Sequence, residues 1–278
     1  MPSRLTELTI QTPDGVRLAG EEAGEGMPIV LLHGLTATRR YVVMGSRLLE
    51  RSGHRVIAYD ARGHGHSSPA PSSAYTYELL AADLLAVLDE LGIERAVLAG
   101  ASMGAQTALR FALEHPDRVL ALGLITPAFD PQAPTGPDAY AGWDRLARGL
   151  REGGVDGFVA AYEVESIPER LRETVVTVLR QRLSAHDHPL AVADALEVVP
   201  RSRPFDAWED LIAIGAPTVV VASRDEPDPG HPLAIAERYV REIPGAKLVV
   251  EEEGRSPIAW QGGQLSKAIA EIIESGHG

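Results

Sequence analysis

The 278-residue chain carries 39 Asp and Glu against 26 Lys and Arg, a formal charge of −13, with 45% hydrophobic residues and no cysteine. Such a chain folds around a real core, and its negative field opposes nucleic-acid phosphates and anionic lipid surfaces, so neither nucleic acid nor membrane is an expected partner. Without cysteine there is no disulfide, no thiolate nucleophile and no cysteine-held metal, and the absence of a long apolar run or a signal-peptide pattern at the N-terminus makes the cytoplasm the expected compartment.

In chain order, Leu5 to Ile10 and Val16 to Glu21 flank the turn residues Thr12-Pro13-Asp14-Gly15 and predict a hairpin. The pattern then alternates. Pro28 to Leu32 is an apolar strand, Tyr41 to Arg51 a helix, Arg55 to Tyr59 a strand and Tyr75 to Leu91 an amphipathic helix. Ala96 to Ala99 and Val119 to Ile125 are strands around a helix from Met103 to Glu114. Strands that are apolar at every position need cover on both faces, which predicts a central parallel sheet between two layers of helices. From about Asp130 to Arg203 the strand pattern stops, and short helical stretches follow one another, one of them opened by the capping-box pattern Ser166-Ile167-Pro168-Glu169. Alternation resumes with the strand Thr218 to Ala222, a helix from about Pro232 to Glu242, the strand Lys247 to Glu251 and a last helix from about Gln264 to Glu274. Neither flanking half holds a complete sheet. The expected organisation is therefore a core of residues 1–129 and 204–278 with a helical lid, 130–203, inserted into it.

Gly100-Ala101-Ser102-Met103-Gly104 joins an apolar strand to a helix, the setting of a nucleophile elbow. A serine at the tip of so sharp a turn takes a strained backbone conformation, and side chains two residues to either side would collide across it, which explains the glycines. His33-Gly34-Leu35 follows the strand Pro28 to Leu32 and falls on the same carboxyl edge of the sheet, where ligand sites of such folds form. The backbone N–H groups of Leu35 and Met103 can therefore converge as an oxyanion hole. The side chain of His33 reads as a brace for its loop rather than a base.

Together with the loop Asp60-Ala61-Arg62-Gly63-His64-Gly65-His66-Ser67 and with Ala216-Pro217-Thr218 before a strand, these stretches resemble the α/β-hydrolase superfamily, in its lidded esterase-like branch, over nearly the whole chain. The resemblance implies an α/β fold with a mostly parallel eight-stranded sheet, helices on both faces, and a nucleophile, an acid and a histidine in that chain order. It implies Asp225 as the acid, just after the strand that follows the lid, with Asp228 as the runner-up. It also implies a histidine soon after the last strand, and there the sequence departs: Gly254-Arg255-Ser256-Pro257 carries Arg255 at that position. A guanidinium is protonated at any working pH and only donates, so it cannot take the serine proton.

Three accounts of this departure stand. Another histidine serves as base, the candidates being His231 beside the acid loop, His186 or His188 in the lid, and His64 or His66 on the same edge. Alternatively, Arg255 pairs with Asp225 and favours an anion or oxyanion, or the pocket binds a ligand without turning it over. The expected function is a serine-hydrolase-type enzyme acting through Ser102 on a small carboxylic ester, lactone or thioester. The alternatives are a small-molecule-binding protein of the same fold and a non-hydrolytic lyase or isomerase using the oxyanion hole. No metal spacing and no lysine-bearing phosphate cradle is present, so the sequence calls for no cofactor.

Overall fold

The computed structural model describes residues 5–224, 230–251 and 261–275, with residues 274 and 275 described by backbone alone. Asp225, Asp228, Arg255 and Trp260 lie outside the described residues. In chain order the elements are β1 (Thr6–Gln11), β2 (Arg17–Ala23), β3 (Met27–Leu32), α1 (Leu48–Arg51), β4 (His54–Tyr59), α2 (Tyr77–Glu90), β5 (Ala96–Ala101), α3 (Met103–Glu114) and β6 (Val119–Ile125). The helices α4 (Pro137–Ala161), α5 (Glu169–Leu183) and α6 (Pro189–Val198) follow, then β7 (Thr218–Ala222), α7 (Leu233–Glu242), β8 (Lys247–Val250) and α8 (Gly262–Ser275).

The strands form one eight-stranded sheet in the order β1-β2-β4-β3-β5-β6-β7-β8. Only β2 runs against its neighbours: it is antiparallel to β1 and β4, and every other pair is parallel. Side chains alternate faces along a strand, and the apolar runs use both. Val30, Leu32, Leu98 and Leu122 pack with Leu84 of α2 and Phe111 of α3, whereas Ile29, Leu31, Val97 and Val219 pack with Leu265 and Ile269 of α8. The continuous apolar strands are thus buried between two helical layers. Trp208 belongs to the first layer and contacts Phe205 at a tilt and Tyr239 edge-on, while Trp143 of α4 is exposed.

Two local expectations are corrected. A helix over Tyr41 to Arg51 does not form: the segment holds a 3₁₀ turn at Arg39–Tyr41 and the single turn α1. Between them Met44 and Gly45 have φ of 48° and 73°, left-handed values that end a right-handed helix. The Ser166 capping box is also absent. The Ser166 side chain bonds back to Glu163 O at 2.7 Å, and α5 starts after Pro168 without a side-chain cap. Proline at 168 holds the chain extended there, which separates Ser166 from the helix it would cap.

All of α4 to α6 lies between β6 and β7. The kink of α4 at Gly154 (φ 59°) folds it on itself, so that Gly149 and Gly157 touch backbone to backbone.

Gly104 in α3 sets how closely that helix approaches the sheet: a Cβ there would lie 2.1 Å from Leu32 O. Gly104→Ala is therefore expected to lower the unfolding free energy by about 2 kcal/mol or more, the range of overpacking against atoms that cannot move. Urea denaturation of the variant against wild type measures this, and equal midpoints would contradict the close approach.

Candidate active site

Parallel register brings the candidate residues together. Leu32 pairs with Gly100, Ala101 with Ile125, and Ile125 with Val221, so the segments after β3, β5, β6 and β7 leave the sheet along one edge. Ser102 caps α3 with φ 50° and ψ −111°, a conformation that typically costs about 1–3 kcal/mol in a non-glycine residue and must be held by its surroundings. The holding contacts are Ser102 N to Ile125 O at 2.9 Å and Gln106 N to Ser102 O at 3.1 Å. A Cβ on Gly100 would sit 2.2 Å from the carbonyl carbon of Gly104. The glycines flanking the serine are thus required by contact across the turn.

The loop after β3 passes directly against the serine, since a Cβ on Gly34 would lie 3.6 Å from Ser102 Cβ. Leu35 and Met103 are both buried, and both belong to an apolar cluster with Leu150, Phe158 and Leu183 of the inserted helices, which therefore pack over this edge of the sheet. Among the described residues, neither the Leu35 nor the Met103 N–H donates to a carbonyl.

His231, at the foot of α7, directs Nε2 to Ser102 Oγ at 2.9 Å. It is the histidine that the structure brings to the serine. Of the other candidates, His64, His186 and His66 are hydrogen-bonded elsewhere. His64 has Nδ1 on Arg62 O at 2.9 Å and Nε2 on Leu35 O at 2.7 Å. His186 accepts from Gly65 N at 2.8 Å and reaches Thr36 O at 3.3 Å. His66 is exposed and bonds Asp187 at 2.9 Å, and His188 precedes α6 without capping it. His33 braces its loop as expected: Nε2 accepts from Ala61 N at 2.9 Å, which leaves Nδ1–H to donate to Gly34 O at 2.8 Å.

The rings of His33, His64 and His186 form a buried row, with centroids 5.2 and 5.5 Å apart. Burial, followed by the neighbouring His64, pushes the His33 pKa down to about 4 and the His186 pKa down to about 3. Burial also holds His64 below its ordinary value, against two carbonyl contacts that favour the protonated ring. His33 and His186 are therefore neutral near pH 7, each donating one proton. The row rests on a locked loop. Asp60, wholly buried, accepts from Arg39 N at 2.8 Å and His66 N at 3.1 Å and pairs with the Arg39 guanidinium. Buried Arg62 forks onto Asp83 at 2.6 and 2.8 Å. Glu251, buried at the end of β8, accepts from Arg224 N at 2.5 Å and so anchors the chain where it enters residues 225–229. The sequence offered no signal for that contact.

A profile of the alpha/beta hydrolase fold matches residues 27–261. The chain belongs to this family. Similar members of the alpha/beta hydrolase family include the 2-hydroxy-6-oxononadienedioate/2-hydroxy-6-oxononatrienedioate hydrolase 2 of Pseudomonas putida, 32% identical over 84% of this chain and 83% of that one. Epoxide hydrolase A of Mycobacterium tuberculosis is 40% identical over 48% of this chain and 42% of its own length. The chain thus spans less than half the length of some curated relatives that it matches. Among solved structures, a malate-bound thermophilic esterase from Thermogutta terrifontis superposes with a TM-score of 0.79 at 29% identity, covering 98% of this chain and 100% of that one. Among the described residues no helix is long and apolar enough to cross a membrane, and no His, Asp and Glu group could hold a metal.

For a histidine whose pKa falls on folding, the unfolded chain binds a proton that the native chain does not. For His186 that window runs from about 6.5 down to about 3; its stabilisation is full above the window and is lost as pH falls through it. His186→Gln should therefore flatten the dependence of unfolding free energy on pH between 5 and 6 by about one proton. Guanidinium titrations at several pH values measure the slope, and an unchanged slope would show that the ring is not held neutral.

Proposed function

We propose that this alpha/beta hydrolase is a serine-hydrolase-type enzyme for a small carboxylic ester, lactone or thioester, with Ser102 as nucleophile and His231 as its base. The observation that carries the reading is the 2.9 Å contact between His231 Nε2 and Ser102 Oγ, a hydrogen-bond geometry fit for proton transfer. The resulting chain order is that of the family: serine 102, acid 225, histidine 231. The histidine comes from the segment after β7 instead of the one after β8. These two strands are parallel neighbours, Ala222 beside Val250, and adjacent strands lie only about 4.8 Å apart, so a side chain from either segment has access to the same edge. A base supplied after β7 leaves the position after β8 free to hold Arg255.

In this reading Ser102 Oγ attacks the acyl carbon while its proton passes to His231 Nε2. The carbonyl oxygen becomes an oxyanion between the N–H groups of Leu35 and Met103, and the C–O or C–S bond breaks as His231 returns the proton to the leaving group. Water, deprotonated in turn by His231, then hydrolyses the acyl-enzyme. Asp225 is the proposed acid on the imidazolium, and Arg255 a donor toward anionic substrate or Asp225. The apolar cluster over Leu35 and Met103 supports the inserted helices as a lid. Relatives named for hydrolysis of an oxo-acid and as an esterase support hydrolysis as the reaction class.

Wild type should hydrolyse an activated aryl ester such as p-nitrophenyl butyrate, with Ser102→Ala and His231→Ala each lowering kcat at least about 100-fold and Arg255→Ala less than about tenfold. Stoichiometric phosphonylation at Ser102, read by mass spectrometry, identifies the nucleophile. Equal rates in wild type and Ser102→Ala would favour the binding-protein alternative. A loss with Arg255→Ala as large as with His231→Ala would remove His231 as the base.

A further inference from the structure

Three consecutive carbonyls in the loop after β3 each meet a different buried imidazole: Gly34 O meets His33, Leu35 O meets His64 and Thr36 O meets His186. The first two rings belong to the sheet edge. His186 belongs to the insertion, between α5 and α6. Its tautomer follows from its partners. Gly65 N donates to Nδ1 at 2.8 Å, so in the neutral ring Nε2 carries the proton and donates to Thr36 O.

That contact continues through the backbone. A planar trans peptide holds its C=O and N–H antiparallel, so fixing one end fixes the other. Thr36 O shares a peptide unit with Ala37 N–H, which donates to Gly34 O at 3.0 Å. Gly34 O in turn shares a peptide unit with Leu35 N–H. A single chain of hydrogen bonds therefore runs from His186 Nε2–H through two peptide units to the Leu35 donor, and His33 Nδ1–H feeds the same Gly34 carbonyl. Hydrogen bonds in series polarise one another, more so where water is excluded. The three rings are 8% exposed or less.

We propose that His186 is a positioning residue by which the helical insertion aims and polarises the Leu35 N–H, so that the oxyanion donor is fully organised only while the insertion is docked. This rests on the reading of Leu35 as an oxyanion donor to a serine nucleophile. Docking itself has further contacts, Asp187 N to Gly65 O at 2.9 Å and Asp187 to His66 at 2.9 Å, and these touch no carbonyl of the loop after β3. The insertion's grip and its hold on the donor can therefore be separated.

The test compares His186→Asn, His186→Gln, His186→Met and Asp187→Ala with wild type on p-nitrophenyl butyrate, together with inhibition by an alkyl trifluoromethyl ketone, whose serine adduct is an oxyanion. Asn retains an acceptor near Nδ1 for Gly65 N–H but is too short to reach Thr36 O, whereas the Gln amide reaches the position of Nε2. Deleting a direct oxyanion donor costs about 100- to 1000-fold, so an indirect one is expected to cost about tenfold. His186→Asn and His186→Met should lower kcat about tenfold with KM within twofold, and weaken trifluoromethyl ketone inhibition by the same factor. His186→Gln should stay within threefold and Asp187→Ala should match wild type. Circular dichroism and melting curves show which variants fold, and either Asn or Met suffices for the comparison. Wild-type kcat in both Asn and Met variants, or a raised KM with unchanged kcat, overturns the inference while leaving the serine reading intact. Wild type no faster than Ser102→Ala overturns both.

Discussion

The site depends on one backbone constraint, the left-handed turn at Ser102, where β5 must reverse into α3 within a single residue. The turn brings Gly100 against Gly104, and Gly104 against Leu32 of the neighbouring strand. Because α3 thereby packs tightly onto β3, the loop that leaves β3 has no path except past the serine, which brings Gly34 alongside it. The strain at Ser102 is thus offset by close packing on both sides. A serine hydroxyl held this way has little freedom to move, so any group that contacts it must be brought to it.

His231 meets that requirement from the segment after β7. Position along the chain matters only through the point where a side chain leaves the sheet, and the segments after β7 and β8 emerge from adjacent, parallel strands. The sequence fixes the order of strands but carries no direct measure of how far a loop reaches. The sequence set His231 apart only by its place beside the acid loop, with His64, His66, His186 and His188 left as candidates. The distinction appears only when hydrogen-bond partners are counted: His64 and His186 have ring nitrogens on backbone groups, His66 faces solvent and Asp187, and His231 faces Ser102.

Most of the fold was legible because apolar runs of five to seven residues bounded by turns are too short for helices and read as buried strands, and the inserted block stood out by the loss of that pattern. The elbow was legible for a related reason, since two glycines around a serine at a strand-to-helix junction answer a steric demand that the sequence must meet directly. The stretch from Tyr41 to Arg51 was misread because its valines and leucines have helical spacing, while the break depends on the left-handed backbone at Met44 and Gly45, which a methionine does not advertise. Ser166 was misread because a capping box is defined by four residues, whereas Pro168 within them decides the geometry. His33 was legible as a brace of its own loop, but the part played by His64 and His186 was not, because the three histidines lie far apart in sequence and converge only through the sheet edge and the insertion.

The choice of neutral imidazoles for that brace has an electrostatic consequence. A neutral ring is both a donor and an acceptor on a rigid frame, so it can join a free N–H of one loop to a free C=O of another without introducing charge. Lysine or arginine at these positions would bring a buried cation beneath the loop after β3, where desolvation is costly. Glutamine would supply the same groups on a floppier side chain, with more rotamer entropy lost on burial. Burial is what keeps His33 and His186 neutral, and in the proposed reaction their neutrality would let an oxyanion be met by fixed backbone dipoles that need not reorganise when charge develops. The same desolvation that makes these histidines useless as bases makes them suitable as braces. The half-buried His231 stands apart from this row, with its Nε2 on Ser102 Oγ.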